Sequence, residues 1–403
     1  NDSHYQYKED FMQLKQNLNK KLIALAAMLS TSMAATAAPS NQEIMDMMLE
    51  LKQEIKQLKN ENESLKGEVE GVYVATDEAI KAQAKQATKT TIGGYGEMHY
   101  DMEANNGDGK LDFHRWILYV KHQFNSEWSM MSEVEIEHNM VGSQEALGYE
   151  GGYVAMEQAH LNYYNGTWGF RGGVLLVPAG ITNEYHEPPT FMSVERPEYS
   201  KYVIPTTWFD NGFAFYGKVG GVNWNWTMVG DLDGDDVGAG IRSAREKGFA
   251  STTTDWTKTL QLSWAGMEGL KVGGSITMND APKDDGTTVG VNLTEFNVTY
   301  TKDNMYARLE NGKIDYDNND AAESTSGYYL DLGYNIASMV GCDDQDLYVW
   351  MRNSAYNRDD MGDDTEISLF GVTFKPADNL AIKFEMGDKD DSDVMRMGLG
   401  YMF

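Results

Sequence analysis

The residues best placed to do chemistry sit in one stretch, 181–207, with the sequence ITNEYHEPPTFMSVERPEYSKYVIPTT. It carries Glu184, Tyr185, His186, Glu187, Glu195, Arg196, Glu198 and Lys201. Four carboxylates against two cations leave it net negative with His186 neutral. Such a set screens and steers ions; it does not by itself break bonds. Pro188, Pro189, Pro197 and Pro205 stiffen the stretch, and a connection this long is expected to be functional or disordered. Catalytic and metal patterns fail elsewhere. Asp231-x-Asp233-x-Asp235 starts like a calcium loop, but Asp236 replaces the required Gly and Arg242 the final Glu. Loosely bound divalent cations at acidic loops are the most that this supports. The seven His form no zinc motif. His138 and His186 have no motif-defined partners for hydrolysis, so no enzyme and no cofactor is expected. The single Cys342 excludes a disulfide, cysteine-held metal and CxxCH haem.

The elements that would position the charged stretch are strands. Between Thr91 and Phe403 the pattern gives sixteen, at about 91–101, 111–124, 127–140, 153–164, 167–180, 208–219, 222–232, 255–265, 269–279, 290–301, 305–316, 325–337, 345–356, 365–375, 379–388 and 394–403. The last alternates Met395, Met397, Leu399, Tyr401 and Phe403 against Arg396, Gly398 and Gly400. The strand at 379 sets Ile382 and Phe384 against Lys383 and Glu385. Every second connection is tight, such as Asn165-Gly166 and Gly220-Gly221. Those between are longer and acidic: Asp231–Asp236, Asp315–Glu323, Asp359–Glu366 and Asp388–Asp393. Short turns on one rim and long loops on the other describe an up-and-down transmembrane barrel. Aromatics such as Trp128, Tyr163, Trp168, Trp208, Trp226 and Trp264 near strand ends suit its interfacial girdles. A soluble sandwich or propeller is the competing all-β reading, with shorter strands. The fold expected is therefore all-β: a 16-stranded antiparallel transmembrane β-barrel preceded by a short N-terminal coiled coil.

Alternation assigns Glu97, Asp101, Arg115, Lys121, Glu133, Glu135, Glu137, Arg171 and Lys218 to the pore wall, and a one-residue slip would invert each of them. On this assignment inward bases are few. With 33 Lys plus Arg against 62 Asp plus Glu, the net charge is −29. That excludes a nucleic-acid partner on electrostatic grounds. No run of 18 apolar residues occurs, so a helical span is not expected.

The N-terminal part reads as an address and an arm. Residues 1–11 are an extra upstream segment. Residues 12–38 read as a signal peptide, with Lys15, Lys20 and Lys21, an apolar run Leu22–Leu29, and Ala35-Thr36-Ala37. Heptad spacing over 41–72 places Leu51, Ile55, Leu58, Asn62 and Leu65 in a coiled-coil seam, with polar Asn62 fixing register. Residues 73–90 form a linker, and 91–403 the barrel.

The combination of signal, coiled coil, barrel and terminal Phe403 resembles a Gram-negative outer-membrane porin. Val177-Pro178-Ala179-Gly180, Val194-Glu195-Arg196-Pro197 and Ile204-Pro205…Gly212 are similar to elements of the phosphate-selective porin O and P family. The resemblance implies a homotrimer in outer-membrane lipid and lipopolysaccharide, an infolded third loop, and Phe403 as the assembly signal. It also implies that small hydrophilic solutes or ions are what passes. The arginines and lysines of the phosphate-selective pores are not matched, so phosphate selectivity is not expected, and the acids lean to cations. The rival reading is an anchor or adhesin whose periplasmic coiled coil ties the barrel to the cell wall.

Overall fold

The computed structural model describes residues 89–103, 109–139, 141, 143–144, 149–150 and 152–403, with positions 52, 53 and 56. The expected signal peptide, the upstream segment and the seam residues Leu51, Ile55, Leu58, Asn62 and Leu65 lie outside the described residues. A boundary between Ala87 and Thr88 separates off the barrel unit.

The barrel strands are β1 (Thr90–Glu103), β2 (Lys110–Gln123), β3 (Trp128–Glu137), β4 (Val154–Tyr164), β5 (Trp168–Leu176), β6 (Phe209–Val219), β7 (Val222–Val229) and β8 (Thr257–Met267). They continue as β9 (Leu270–Pro282), β10 (Thr288–Lys302), β11 (Met305–Asp317), β12 (Ser324–Asn335), β13 (Asp346–Asn357), β14 (Thr365–Ala377), β15 (Leu380–Lys389) and β16 (Ser392–Met402). Each pairs antiparallel with its sequence neighbours, and β1 pairs with β16 to close the barrel. Closure leaves no sheet edge unpaired, which a strand in lipid requires. Phe403 continues this seam. Its N–H donates to the Gly94 carbonyl at 2.9 Å, and its ring stacks on Trp116.

Burial is inverted relative to a soluble protein. Apolar side chains face outward, including Phe296, Phe370, Met397 and Leu399. Charged side chains on the opposite strand faces are buried, including Glu97, Arg115, Glu310, Arg352, Lys383 and Glu385. An apolar outer band and a polar interior are what a barrel in a bilayer needs.

Three local departures from simple strand extension follow from backbone chemistry. β3 stops at Glu137 because His138 and Asn139 adopt left-handed φ of 54° and 60°. β5 stops at Leu176, just before Val177 and Pro178, where Pro178 has no N–H for the ladder. The expected long loop at Asp388–Asp393 is instead a tight turn. Asp390 and Asp391 take φ of 47° and 64°, and Lys389 pairs directly with Ser392. Two successive left-handed residues match the twist of a hairpin.

The apolar core lies inside the barrel. The connections 177–208 and 230–256 bring Tyr199, Ile204, Leu232 and Ile241 against Leu293, Ile314 and Trp350 of the inner wall. Trp208 belongs to this core and not to a girdle.

Candidate functional site

The long connection between β5 and β6 crosses the lumen. It contains two short helices, α1 (Ile181–Glu184) and α2 (Tyr199–Tyr202), and a 3-10 turn at Pro188–Thr190. Asn183 ties its base: its side-chain amide donates to the Val177 carbonyl and its Oδ1 accepts from the Trp208 N–H, both at 2.8 Å. From there the wall grips the connection at successive points. Glu310 of β11 accepts from the Ile181 N–H at 3.1 Å. Lys375 donates to the Pro189 carbonyl, and Arg308 to that of Thr190. Lys383 Nζ donates to the Ser193 carbonyl at 2.6 Å, and Lys389 pairs with Glu198 at 2.7 Å. On β16, a Cβ at Gly398 would stand 2.9 Å from Val194, and one at Gly400 would collide with Pro188. Glycine there is required by close approach.

The expected loop residues fall on two cavities. One, of about 520 Å³, is lined by Glu184, Tyr185, His186 and Glu187 together with wall residues Lys121, Glu133 and Arg171. Glu184 accepts from Gln261, Tyr185 from Lys271 at 3.4 Å, and Glu187 from the Tyr119 hydroxyl at 3.3 Å. The other, of about 310 Å³, is lined by Glu195, Arg196, Glu198 and Lys201 with Asp101, Arg115 and Glu137. The cavities share no lining residue. Lys218 lies on the lumen-facing set of β6 but at its turn end, exposed and outside both.

Between the cavities lies a buried charged layer. Arg115 contacts Glu97 at 2.6 Å and Glu135 at 3.1 Å. Arg396 bridges Asp101 and Glu385, each at 3.2 Å. His186 stands between Glu133 and Glu157, and the Arg196 guanidinium donates to the His186 carbonyl at 3.0 Å. Glu195 faces His99 at 2.7 Å. Burial would raise the Glu195 carboxyl, and the His99 imidazole overrides this and holds it down to about 2.

The wall holds more bases than alternation over the first strands suggested. Arg308, Arg352, Lys375, Lys383, Lys389 and Arg396 all reach the lumen connection or its partners. The expectation of few inward bases is therefore corrected. The signal was available, since Lys383 and Arg396 oppose apolar residues on their own strands. Most of these bases are spent on loop carbonyls and carboxylates. The residual lining of both cavities is mixed in sign.

Histidines that look scattered in sequence also meet. A register shift between β1 and β2 sets Glu97 opposite Arg115 but His99 opposite Asp112. This bulge brings the His99 and His114 rings into a 5.0 Å stack, and His138 lies edge-on to His114 at 5.2 Å. Bulges re-aim side chains in this way and leave little trace in the alternation.

No protein-family model matches the chain. Over 355 residues, 78% of this chain and 80% of the other, it is 30% identical to an uncharacterized protein of Aquifex aeolicus (strain VF5). The chain belongs to that protein's family. Among solved structures it is similar to Salmonella typhi OmpF in complex with daunomycin, with TM-score 0.57 and 13% identity over 78% of this chain and 98% of that one. It is also similar to the anion-selective porin of Comamonas acidovorans, with TM-score 0.54 and 11% identity over 78% and 99% of the two chains. A loop-L8 deletion form of OmpT, an outer membrane protein of Vibrio cholerae, gives TM-score 0.53 and 12% identity over 78% and 99%. At these identities the likeness is one of fold, the closed sixteen-strand barrel of outer-membrane porins.

Proposed function

We propose that this chain is a passive outer-membrane diffusion channel for small hydrophilic solutes or ions. The observation that carries the reading is the pair of polar cavities inside the barrel, both lined by β1–β3, by β16 and by the connection 177–208. No reaction and no energy source is required. A continuous path needs the side chains of Arg115, Arg196 or His186 to shift, since these close the layer between the cavities. Because the cavity linings are mixed in sign, any lean to cations comes from the acidic outer connections and is weak. Phosphate selectivity is not part of the proposal. Assembly as a homotrimer in lipid and lipopolysaccharide, with the coiled-coil arm in the periplasm, rests on the resemblance and on the heptads.

A second reading has one observation in its favour. The apolar core formed by 177–208 and 230–256 fills the lumen along β10–β14, as in a plugged barrel used as an anchor, with the arm reaching the cell wall. Single-channel conductance in a planar bilayer under a KCl gradient separates the two. Conductance in threefold steps supports the trimeric channel, and silence from a folded barrel supports the anchor.

A further inference from the structure

We propose that Glu133, Glu157 and His186 bind one divalent transition-metal ion, which fastens the lumen connection to the wall between the two cavities. Their ligand atoms cluster within 4.8 Å of one another, and all three residues are buried. His186 Nδ1 lies 3.0 Å from the Asn183 carbonyl. A carbonyl only accepts, so Nδ1 carries the hydrogen and Nε2 presents its lone pair or a second proton. Nε2 points at Glu133 Oε1, 3.5 Å away, and at Glu157 Oε2, 3.6 Å away. His186 Nε2, Glu133 Oε1 and both Glu157 carboxylate oxygens have no hydrogen-bond partner.

Those separations suit ligands of a shared ion better than hydrogen bonds. Two atoms each about 2.1 Å from one ion at a tetrahedral angle stand roughly 3.4 Å apart. An imidazolium without metal would balance only one of the two buried carboxylates and leave the other to hold a proton, with both contacts too long for good hydrogen bonds. Arg115 does not supply the missing charge to the cluster, being paired with Glu97 and Glu135. Arg196 is turned to the His186 carbonyl.

The backbone is arranged for the same end. Glu133 pairs with Gln158, but Val134 pairs with Met156, so Glu157 is the extra residue of a bulge. Met156 faces out, while Glu157 is fully buried and Gln158 lines the larger cavity. Gln158 donates to the other oxygen of Glu133 at 2.6 Å, orienting that carboxylate as outer partners of metal ligands do. Glu133 and His186 line the larger cavity, which gives an ion its entry. One imidazole with two carboxylates suits Zn²⁺, Co²⁺, Fe²⁺ or Mn²⁺ rather than the all-oxygen sites of Ca²⁺. A second group, Asp112, His114 and His138, differs in the decisive respect. Its carboxylate lies 3.0 and 2.9 Å from the two Nδ1 atoms, and hydrogen bonds satisfy it.

The test is Co²⁺ retention by the full-length barrel in detergent, stripped with chelator and dialysed against CoCl₂, read by metal analysis and visible absorption. It does not read conduction, so it stands or falls apart from the channel proposal. The expected result is a single Co²⁺ per chain with an imidazole-ligated spectrum. Glu157→Gln and His186→Gln each weaken affinity by at least about tenfold, the scale on which even outer partners act, while His138→Gln leaves it unchanged. Glu157→Gln keeps the shape of the side chain, removes its charge and breaks no hydrogen bond, and it carries the test if His186→Gln misfolds. No retained Co²⁺ in the folded wild type, or retention lost with His138→Gln but kept with Glu157→Gln, overturns the proposal.

Discussion

The backbone N–H of Val194, midway along the lumen connection, donates to Oε2 of Glu385 on β15 at 2.7 Å. The same carboxylate pairs through Oε1 with Arg396. One wall residue thus holds the connection and orients a base that lines the smaller cavity. Beside it, Lys383 caps the Ser193 carbonyl and lies over the Phe191 ring at 3.8 Å. The charges of this wall act first as clamps.

Lys383→Met should therefore loosen the connection. It strands a buried carbonyl, at a cost of about 1–3 kcal/mol. Denaturant unfolding in detergent should show a lower midpoint, and single channels should show more open-state noise than wild type. An unchanged midpoint with unchanged noise would mean the clamp contributes nothing.

Glu195 should behave as an acid-resistant charge. Its carboxyl is depressed, so its charge and the stability it contributes are present above the ordinary carboxylate range and are lost only as pH falls through about 2. The difference in reversal potential between wild type and Glu195→Gln should be the same at pH 4 as at pH 7. An ordinary glutamate, with pKa about 4.3, would have lost more than half its charge at pH 4.

Lys201 and Arg242 line the smaller cavity. Changing both to Glu should move the reversal potential toward cations, because a narrow passage with low-dielectric walls amplifies fixed charge. A potential that does not move would place the ion path outside that cavity. Neutralising Glu195 and Glu198 together should move it the other way.

The outward face should tolerate no charge at mid-bilayer. Leu399 on β16 is exposed and apolar, and Leu399→Arg should cost about 2–4 kcal/mol of folding stability in lipid vesicles. Arg at an exposed site of a soluble protein would be close to neutral, so the measurement also tests the inside-out reading.

Sequence alone determined the strand count, the strand positions to within a few residues and most of the alternation of rims, which fails at 389–392 and between Asn335 and Asp346. Each rests on a local signal: a period of two, as in Met397-Gly398-Leu399-Gly400, and turn residues such as Gly220-Gly221. It also marked 181–207 as the long, stiff and charged connection, through its prolines and charges. Only the tertiary structure decided what those charges touch. Glu385 and Val194 are distant in sequence, and nothing local couples them. Barrel closure brings them together, and the absent side chains of Gly398 and Gly400 leave room for the connection. The bulges at Glu97–His99 and at Glu157 shift which face a side chain occupies without altering the composition of the strand. Alternation therefore could not show that His99 meets His114, or that Glu157 turns inward toward His186. Periodicity is a property of one strand, whereas the charged layer is made by contacts across the lumen that exist only once the barrel has closed.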